Sequence, residues 1–276
     1  MQRRCAILTI GYELLQGRVV DTNSAYIAKK LYVLGHQVVV KMSVGDDKEH
    51  IIKALRTCIK VFNCDTVITT GGLGPTPDDI TLECIAQFLN LPLEINEEAL
   101  RDIERKYRER GLELNPSRVK MAKIPKGATP LLNRVGIAPG IWLEASYSGK
   151  RITIIALPGV PREMMTMFED HVEPRLRIPG RHLIEASIVL KPCRESDIAD
   201  ILKEFSKRYR EIYVKTHPHG HEVSSPSINL YMSLYSDNPS QGIELCREAK
   251  AFLLNSIKTR FPNISIELVK DCSISK

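Results

Sequence analysis

Residues 67–81 read VITTGGLGPTPDDIT, and the order of residue types in this stretch decides the fold. Val67, Ile68, Thr69 and Thr70 favour an extended strand. Gly71, Gly72 and Gly74 then turn the chain, Pro75 and Pro77 interrupt regular structure, and the paired acids Asp78 and Asp79 follow. After them Leu82, Ile85, Ala86 and Leu89 recur at helical spacing. Strand, glycine turn and helix in that order make the place in an α/β protein where backbone N–H groups reach a phosphate. The candidate anion-binding positions are Gly71, Gly72, Leu73 and Gly74, with Pro75, Thr76 and Thr81 beside them. Two carboxylates next to an anion repel it unless a cation lies between, so Asp78 and Asp79 point to a divalent metal ion and a phosphorylated small molecule. Their plain alternative is capping of the helix that follows.

Working outward, the same alternation repeats. Cys5–Ile10 reads as a strand, and a helix opening near Thr22 or Asn23 carries Ile27, Leu31 and Leu34 before Gly35 ends it. His36–Met42 is a second strand, and a helix with Ile51, Leu55, Ile59 and Phe62 on one face follows it. Glu97–Arg110 and Ser117–Ala122 read as helices, 124–140 as loops or short hairpins, Ile152–Leu157 as a strand, and 162–176 as one helix. Strands and helices in this rhythm predict a mostly parallel sheet covered on both faces. Beyond a linker at 177–181, the order strand, helix, strand, strand, helix, strand predicts a small ferredoxin-like, split βαβ domain. The expected domains are therefore 1–178 and 182–276.

Loops at the carboxyl ends of neighbouring parallel strands converge on one crevice. That places three further sets of candidates near the motif: Gly11, Glu13, Gly17 and Asn23 after the first strand, Asp46 after the second, and Pro158 and Gly159 in the segment LPGVP after Ile152–Leu157. Asp46 and Glu13 are candidate acid/base groups, and Asp46 joins Asp78 and Asp79 as a candidate metal ligand. Asp46 and Asp47 equally suit a helix cap. Glu13 suits a solvated loop, and Glu163 suits a helix first turn without function. Asn115 and Arg118 stand where they could reach an anionic ligand. The rest of the basic run from Arg101 to Lys126 interleaves Asp102, Glu104 and Glu109, as a solvated helix with i,i+4 pairs does. His217, His219 and His221 alternate in THPHGH, but no fitting cysteine or acid accompanies them, so a solvated loop is expected rather than a metal site.

Composition narrows the class. With 43% hydrophobic residues over 276 positions the chain can bury a substantial core. No apolar run approaches the roughly 20 residues of a membrane span, and Glu13 interrupts the short apolar run near the N-terminus that a signal peptide would need. The expectation is a cytoplasmic protein with no membrane partner. Seven scattered cysteines without a C-x-x-C pair predict reduced, mostly buried thiols. A net charge of +6 fits an anionic small molecule and does not require nucleic acid, and the second domain lacks the G-x-x-G loop that clamps a nucleic-acid backbone.

The segments GYELLQGRVVDTN, VGDD, TTGGLGPTPDDIT, NPSRVKMA, LLNRVGIAPG and LPGVPREM occur in the order seen in the CinA family. The resemblance spans about Arg3 to Leu176 and is to the CinA N-terminal domain, which is related to the molybdopterin-binding domain of MoaB, MogA and gephyrin. YVKTHP, from Tyr213 to Pro218, resembles the small KH-like module that follows in CinA proteins. The resemblance implies a three-layer α/β/α fold, a homo-oligomer, and hydrolysis of ADP-ribose to AMP and ribose 5-phosphate with Mg, Mn or Co. In the molybdopterin relatives the equivalent loop binds a pterin phosphate, which gives a second expectation, and a ligand or RNA-binding module is a third. Carried over to matching positions, Gly71, Gly72, Gly74, Asp78 and Asp79 form the phosphate and metal loop, Asp46 is the second acidic locus, and Glu13 and Asn23 lie at the rim. Tyr12 departs from the small polar residue usual before the glutamate. The nicotinamide-nucleotide deamidase domain of longer CinA proteins has no counterpart, so deamidase activity is not expected.

Overall fold

The computed structural model describes residues 1–219 and 226–275 and divides into two compact units, one of Met1–Tyr32 with His36–Arg177, the other of Val33–Gly35 with 178–276. The first unit runs β1 (Arg4–Ile10), α1 (Tyr12–Leu15), α2 (Thr22–Val33), β2 (Gln37–Val44), α3 (Lys48–Lys60), β3 (Thr66–Thr70), α4 (Thr81–Leu89), β4 (Leu93–Ile95), α5 (Glu97–Glu109), α6 (Pro116–Lys120), β5 (Lys123–Pro125), β6 (Thr129–Leu131), β7 (Gly140–Tyr147), β8 (Lys150–Leu157), α7 (Pro161–Met167), a π-helical stretch (Phe168–Val172) and α8 (Glu173–Leu176). Its main sheet has the order β2-β1-β3-β8-β7-β6. The first four strands are parallel, whereas β7 and β6 run antiparallel to their neighbours.

The central strands are nearly continuous apolar runs because both of their faces are covered. All of β3 is buried, as are Cys5–Ile10 of β1 and Ile152–Leu157 of β8. Ala6, Leu8, Val67, Ile154 and Ala156 join Ile51, Leu55 and Ile59 of α3 and Leu82, Ile85 and Phe88 of α4 in one cluster. Ile7, Ile68 and Ile155 alternate with these and are fully buried on the opposite face. Outside that cluster, α2 and α7 bury Ile27, Leu31, Met164 and Met167.

Two expectations change. The sequence reading found no strand at 140–147, yet β7 pairs with Lys150–Ala156 of β8 through a hairpin turned at Ser148 (φ 51°) and Gly149 (φ 78°). The period-two burial of Ile141 and Leu143 was legible, but Glu144, Ala145 and Ser146 dilute it on a half-exposed strand. The single helix expected over 162–176 is interrupted by the π-helical stretch, whose Phe168 and Val172 are both buried.

His36 is buried between the chain's first residues and α8. Its Nδ1 accepts from Arg3 N at 3.1 Å, which leaves Nε2 to donate to the Leu176 carbonyl at 2.7 Å. Burial therefore holds the imidazole neutral and lowers its pKa from the ordinary 6.5. Above pH 6.5 both folded and unfolded chains carry neutral His36. Below it the unfolded chain takes up a proton that the folded chain refuses, so stability falls as pH drops toward the depressed folded value. Thermal unfolding of wild type should lose more stability between pH 7.5 and pH 5 than that of His36→Asn. Parallel loss in both proteins would assign the acid sensitivity to other groups.

The second unit contains β9 (His182–Lys191), α9 (Glu195–Arg208), β10 (Tyr213–His219), β11 (Ser227–Ser236), α10 (Pro239–Arg260) and β12 (Ser265–Ile274). Its sheet order is β10-β11-β9-β12 with antiparallel neighbours throughout, which is the split βαβ arrangement. Both helices lie on the core cluster built around Ile188, Leu230, Phe205 and Leu253. The expectation of uniformly reduced thiols is corrected here: Cys246 and Cys272 form a disulfide between α10 and β12, with Cα atoms 5.9 Å apart. Chain separation hid the pair, because the residues meet only once the helix packs on the edge strand. Cys5, Cys58, Cys64, Cys84 and Cys193 are free and buried. His217 and His219 lie on β10 rather than in the expected loop, and His221 lies outside the described residues.

Candidate functional site

Strand order around β1 defines the site. β1 has β2 on one side and β3 on the other, so the connections leaving β1 and β3 diverge and open a crevice at their carboxyl ends. A cavity of about 770 Å³ occupies that position, within the range of small-molecule sites. It gathers Gly11 from the end of β1 and Glu13 from α1, Asp46 from the loop after β2, Gly71–Pro75, Asp78 and Asp79 from the motif, and Pro158, Gly159 and Glu163 from the segment after β8.

The glycine loop is fixed from behind. Gly71 N donates to Leu157 O at 3.0 Å. Its φ is +108°, and a Cβ there would overlap the Ile10 carbonyl oxygen. Thr81 is fully buried; its hydroxyl donates to Gly71 O at 2.9 Å and its N–H to Gly72 O at 3.2 Å. Thr81 therefore shapes the loop and does not line the cavity. Asn23 acts similarly, donating from Nδ2 to Thr70 Oγ1 at 2.9 Å and to Gly159 O at 2.8 Å, which ties the end of β3 to the loop after β8.

Capping does not account for the acids. Ile80 is the N-cap of α4 and makes no side-chain cap bond. Asp79 Oδ2 instead accepts from Thr76 N at 2.9 Å and Thr76 Oγ1 at 2.6 Å, and Asp78 Oδ1 also accepts from the Thr76 hydroxyl. One hydroxyl hydrogen is thus contested by two carboxylates that converge on it. The Thr76 hydroxyl, helped by Lys120, holds the exposed Asp78 carboxyl below the usual carboxylate range. After β2 the two acids divide the roles: Asp47 caps α3, accepting from His50 N at 2.9 Å, while Asp46 turns to the cavity and accepts from Tyr12 N at 2.9 Å. Burial raises the Asp46 pKa, with the negative charges of Glu13 and Asp78 adding to it.

Asn115 and Arg118 do not reach the cavity. Asn115 caps α6, accepting from Arg118 N at 3.0 Å, and the Arg118 guanidinium donates to the Glu113 carbonyl and stacks 4.3 Å from the Tyr107 ring centre. The same segment contributes through Lys120, whose Nζ donates to Thr76 O at 2.9 Å and clamps the motif loop. Among the described lining residues the basic one is Arg110, at the end of α5. Tyr107 and Met121 add apolar wall.

The least expected part is the lip at 133–138. Asn133 is fully buried; its Oδ1 accepts from Val135 N at 3.1 Å and Gly136 N at 2.7 Å, and its Nδ2 donates to Ala138 O at 3.1 Å and Glu163 Oε2 at 2.6 Å. Its carbonyl accepts from the buried Lys106 Nζ at 2.5 Å, and Lys106 pairs with Asp102. A Cβ on Gly136 would collide with the Glu163 carboxylate, so glycine there lets lip and helix α7 close on each other. Glu163, which its place in a helix first turn made unremarkable, is a cavity carboxylate. The sequence signal was the asparagine inside a Gly- and Pro-containing loop, the usual mark of a side chain organising backbone.

Five carboxylates, one arginine and a glycine loop form a crevice suited to a polar anion accompanied by a cation. It is the candidate ligand site of the α/β unit, at the carboxyl ends of its parallel strands. The chain belongs to the family described as the probable molybdopterin binding domain, which matches residues 6–178. It is 42% identical over 257 residues to protein PAE0875 of Pyrobaculum aerophilum, covering 92% of this chain and 94% of that one. A protein of Pyrobaculum arsenaticum is 45% identical over 258 residues, with 92% and 94% covered. The crystal structure of the protein CinA, of unknown function, from Thermoplasma acidophilum is 40% identical with a TM-score of 0.57, covering 63% of this chain and 98% of that one. The likeness to CinA read from the motifs thus holds. Among the described residues no helix is long and apolar enough to cross a membrane.

Proposed function

We propose that the first unit is a metal-assisted hydrolase of a nucleoside-diphosphate sugar, with ADP-ribose cleaved to AMP and ribose 5-phosphate. The observation that carries this reading is the convergence of Asp78 and Asp79 on the single Thr76 hydroxyl at the mouth of the glycine loop. An anionic diphosphate cannot sit against these acids without a counter-cation.

The anionic donors lining the cavity are the carboxylates of Glu13, Asp46, Asp78, Asp79 and Glu163, and carboxylate oxygens suit a divalent ion such as Mg, Mn or Co. No group of three or more acidic, His or Cys side chains among the described residues is set to hold a metal. That fits an ion bound by one or two carboxylates together with substrate phosphates rather than by a protein cage. Asp78 and Asp79, whose other carboxylate oxygens are not turned to Thr76, would hold it, and it would supply charge neutralisation at the diphosphate and a more acidic water.

The chain's own residues do the rest. Amides of Gly72, Leu73 and Gly74 hold one phosphate and stabilise the charge that grows on it. Water attacks one phosphorus, the bridging P–O bond breaks, and the bridging oxygen leaves with the other phosphate. Asp46, with its raised pKa, accepts the proton of the water. Incubation with ADP-ribose and Mg²⁺, Mn²⁺ or Co²⁺ tests the reading by AMP release.

A second reading is tight binding of a pterin phosphate in the same cavity without hydrolysis. The family description favours it. Saturable binding of a pterin phosphate with no AMP from ADP-ribose under any of the three metals would select it.

A further inference from the structure

Of the ten residues of β12, Cys272 alone is buried. Leu268, Val269 and Ile274 are 56%, 58% and 41% exposed, so apolar burial holds this edge strand weakly. Its ladder to β9 is interrupted twice, between Leu268 and Lys270 and between Lys270 and Ser273. On the other side of β9, β11 pairs in unbroken register. Ion pairs of Lys270 with Glu185, at 2.7 Å, and of Lys250 with Asp271 each include a partly exposed partner. The one deep attachment of the strand is thus the Cys246–Cys272 disulfide. Helix α10 is held without it: Ala249, Leu253 and Ile257 recur on one face and join Ile188, Phe205 and Leu230 in the core.

We propose that this disulfide is a redox latch on β12. Oxidised, it keeps the strand on β9; reduced, it lets the strand detach while β9, β10, β11, α9 and α10 remain folded. The physical reason lies in the open state. With the bond intact, a detached β12 is still closed into a loop between residues 26 apart, and little entropy is gained. With the bond cut, that restraint is gone.

The reductant is a dithiol. Fraying of the interrupted ladder gives it access, and Cys272 is the more accessible cysteine, 5% exposed against 0% for Cys246. A thiolate of the dithiol attacks Cys272 Sγ, the S–S bond breaks, and its electron pair goes to Cys246 Sγ, which takes a proton. The second thiolate then attacks the mixed disulfide and closes a cyclic disulfide; Cys272 leaves as a thiolate and is protonated in turn. Two electrons pass from the dithiol to the protein. Detachment uncovers the hydrogen-bonding edge of β9 and takes Lys270 and Ser275 away from Glu185, leaving that carboxylate the Tyr231 hydroxyl.

Alkylation in denaturant counts the thiols first. Five of the seven cysteines should react without reductant and seven after dithiothreitol; seven in both would remove the bond and the latch with it. Hydrogen exchange followed by mass spectrometry then compares the oxidised and reduced full chain. Exchange in peptides covering 265–275 should quicken at least about tenfold on reduction, with α9, β10 and β11 unchanged. Glutathione disulfide should restore the slow rate. The double variant Cys246→Ser with Cys272→Ser should exchange at the reduced rate and ignore dithiothreitol. If that variant does not fold, the two states of the wild type still decide. Equal exchange of 265–275 in both states would overturn the latch. Loss of protection across α9 and β11 as well would overturn it too, because the bond would then hold the whole unit rather than one strand.

Discussion

Asp79→Asn should lower metal-dependent AMP release by at least about a hundredfold, because several kcal/mol of charge stabilisation at the diphosphate depend on a full anionic charge there. The fold should survive. Asparagine keeps a carbonyl oxygen that can accept from Thr76 N, the bond that Asp79 now makes at 2.9 Å, so the turn before α4 has no reason to open. A melting temperature within a few degrees of wild type, with turnover gone, is the expected pair of results. Wild-type turnover in the variant would remove Asp79 from metal binding. The companion Asp46→Asn separates the two acidic loci: it should slow turnover and leave metal-dependent pyrophosphate binding intact, since Asp46 is assigned the proton.

The second large effect is on stability. Gly71→Ala places a methyl on the Ile10 carbonyl oxygen and forces a side chain into a φ of +108°. Neither β1 nor β3 can move away, because they are hydrogen-bonded neighbours in the middle of the sheet. A cost of about 3 kcal/mol is expected, or a fall of about 6–12 °C in the melting of the first unit. Gly149→Ala is the contrast. Gly149 also has positive φ but faces open space, so its cost should be about 1–2 kcal/mol. Equal losses in the two variants, followed by calorimetry, would mean that conformation rather than crowding matters at Gly71.

The parallel half of the first unit was legible because central strands must be apolar throughout, and β1, β3 and β8 are. The second unit was legible for a different reason: its six elements follow one another without insertion, so element order alone specifies the topology. The hairpin partner β7 was lost because a half-exposed strand carries Glu144 and Ser146 and so weakens its own alternation. For the site, convergence of the loops after β1, β2, β3 and β8 followed from parallel pairing. Which side chain turned inward did not. Asp46 and Asp47 are adjacent and chemically alike, and only the start of α3 at Lys48 makes the second the cap. Asn115 and Arg118 looked like ligand contacts because anion sites favour such residues, yet they are absorbed by α6 and the Tyr107 ring. Arg110 and Asn133 act across long sequence separations, where spacing carries no information.

Asn133 has a consequence for how this protein ages. Hydrolysis of its side-chain amide to aspartate would exchange the nitrogen 2.6 Å from Glu163 for an oxygen, setting two carboxylates against each other in a buried place. The lip would have to swing away from α7, and the crevice would lose a wall through a change of a single atom. The same hydrogen bonds slow that chemistry by pinning the backbone that must bend for it. Shelf life and site geometry are therefore guarded by one side chain.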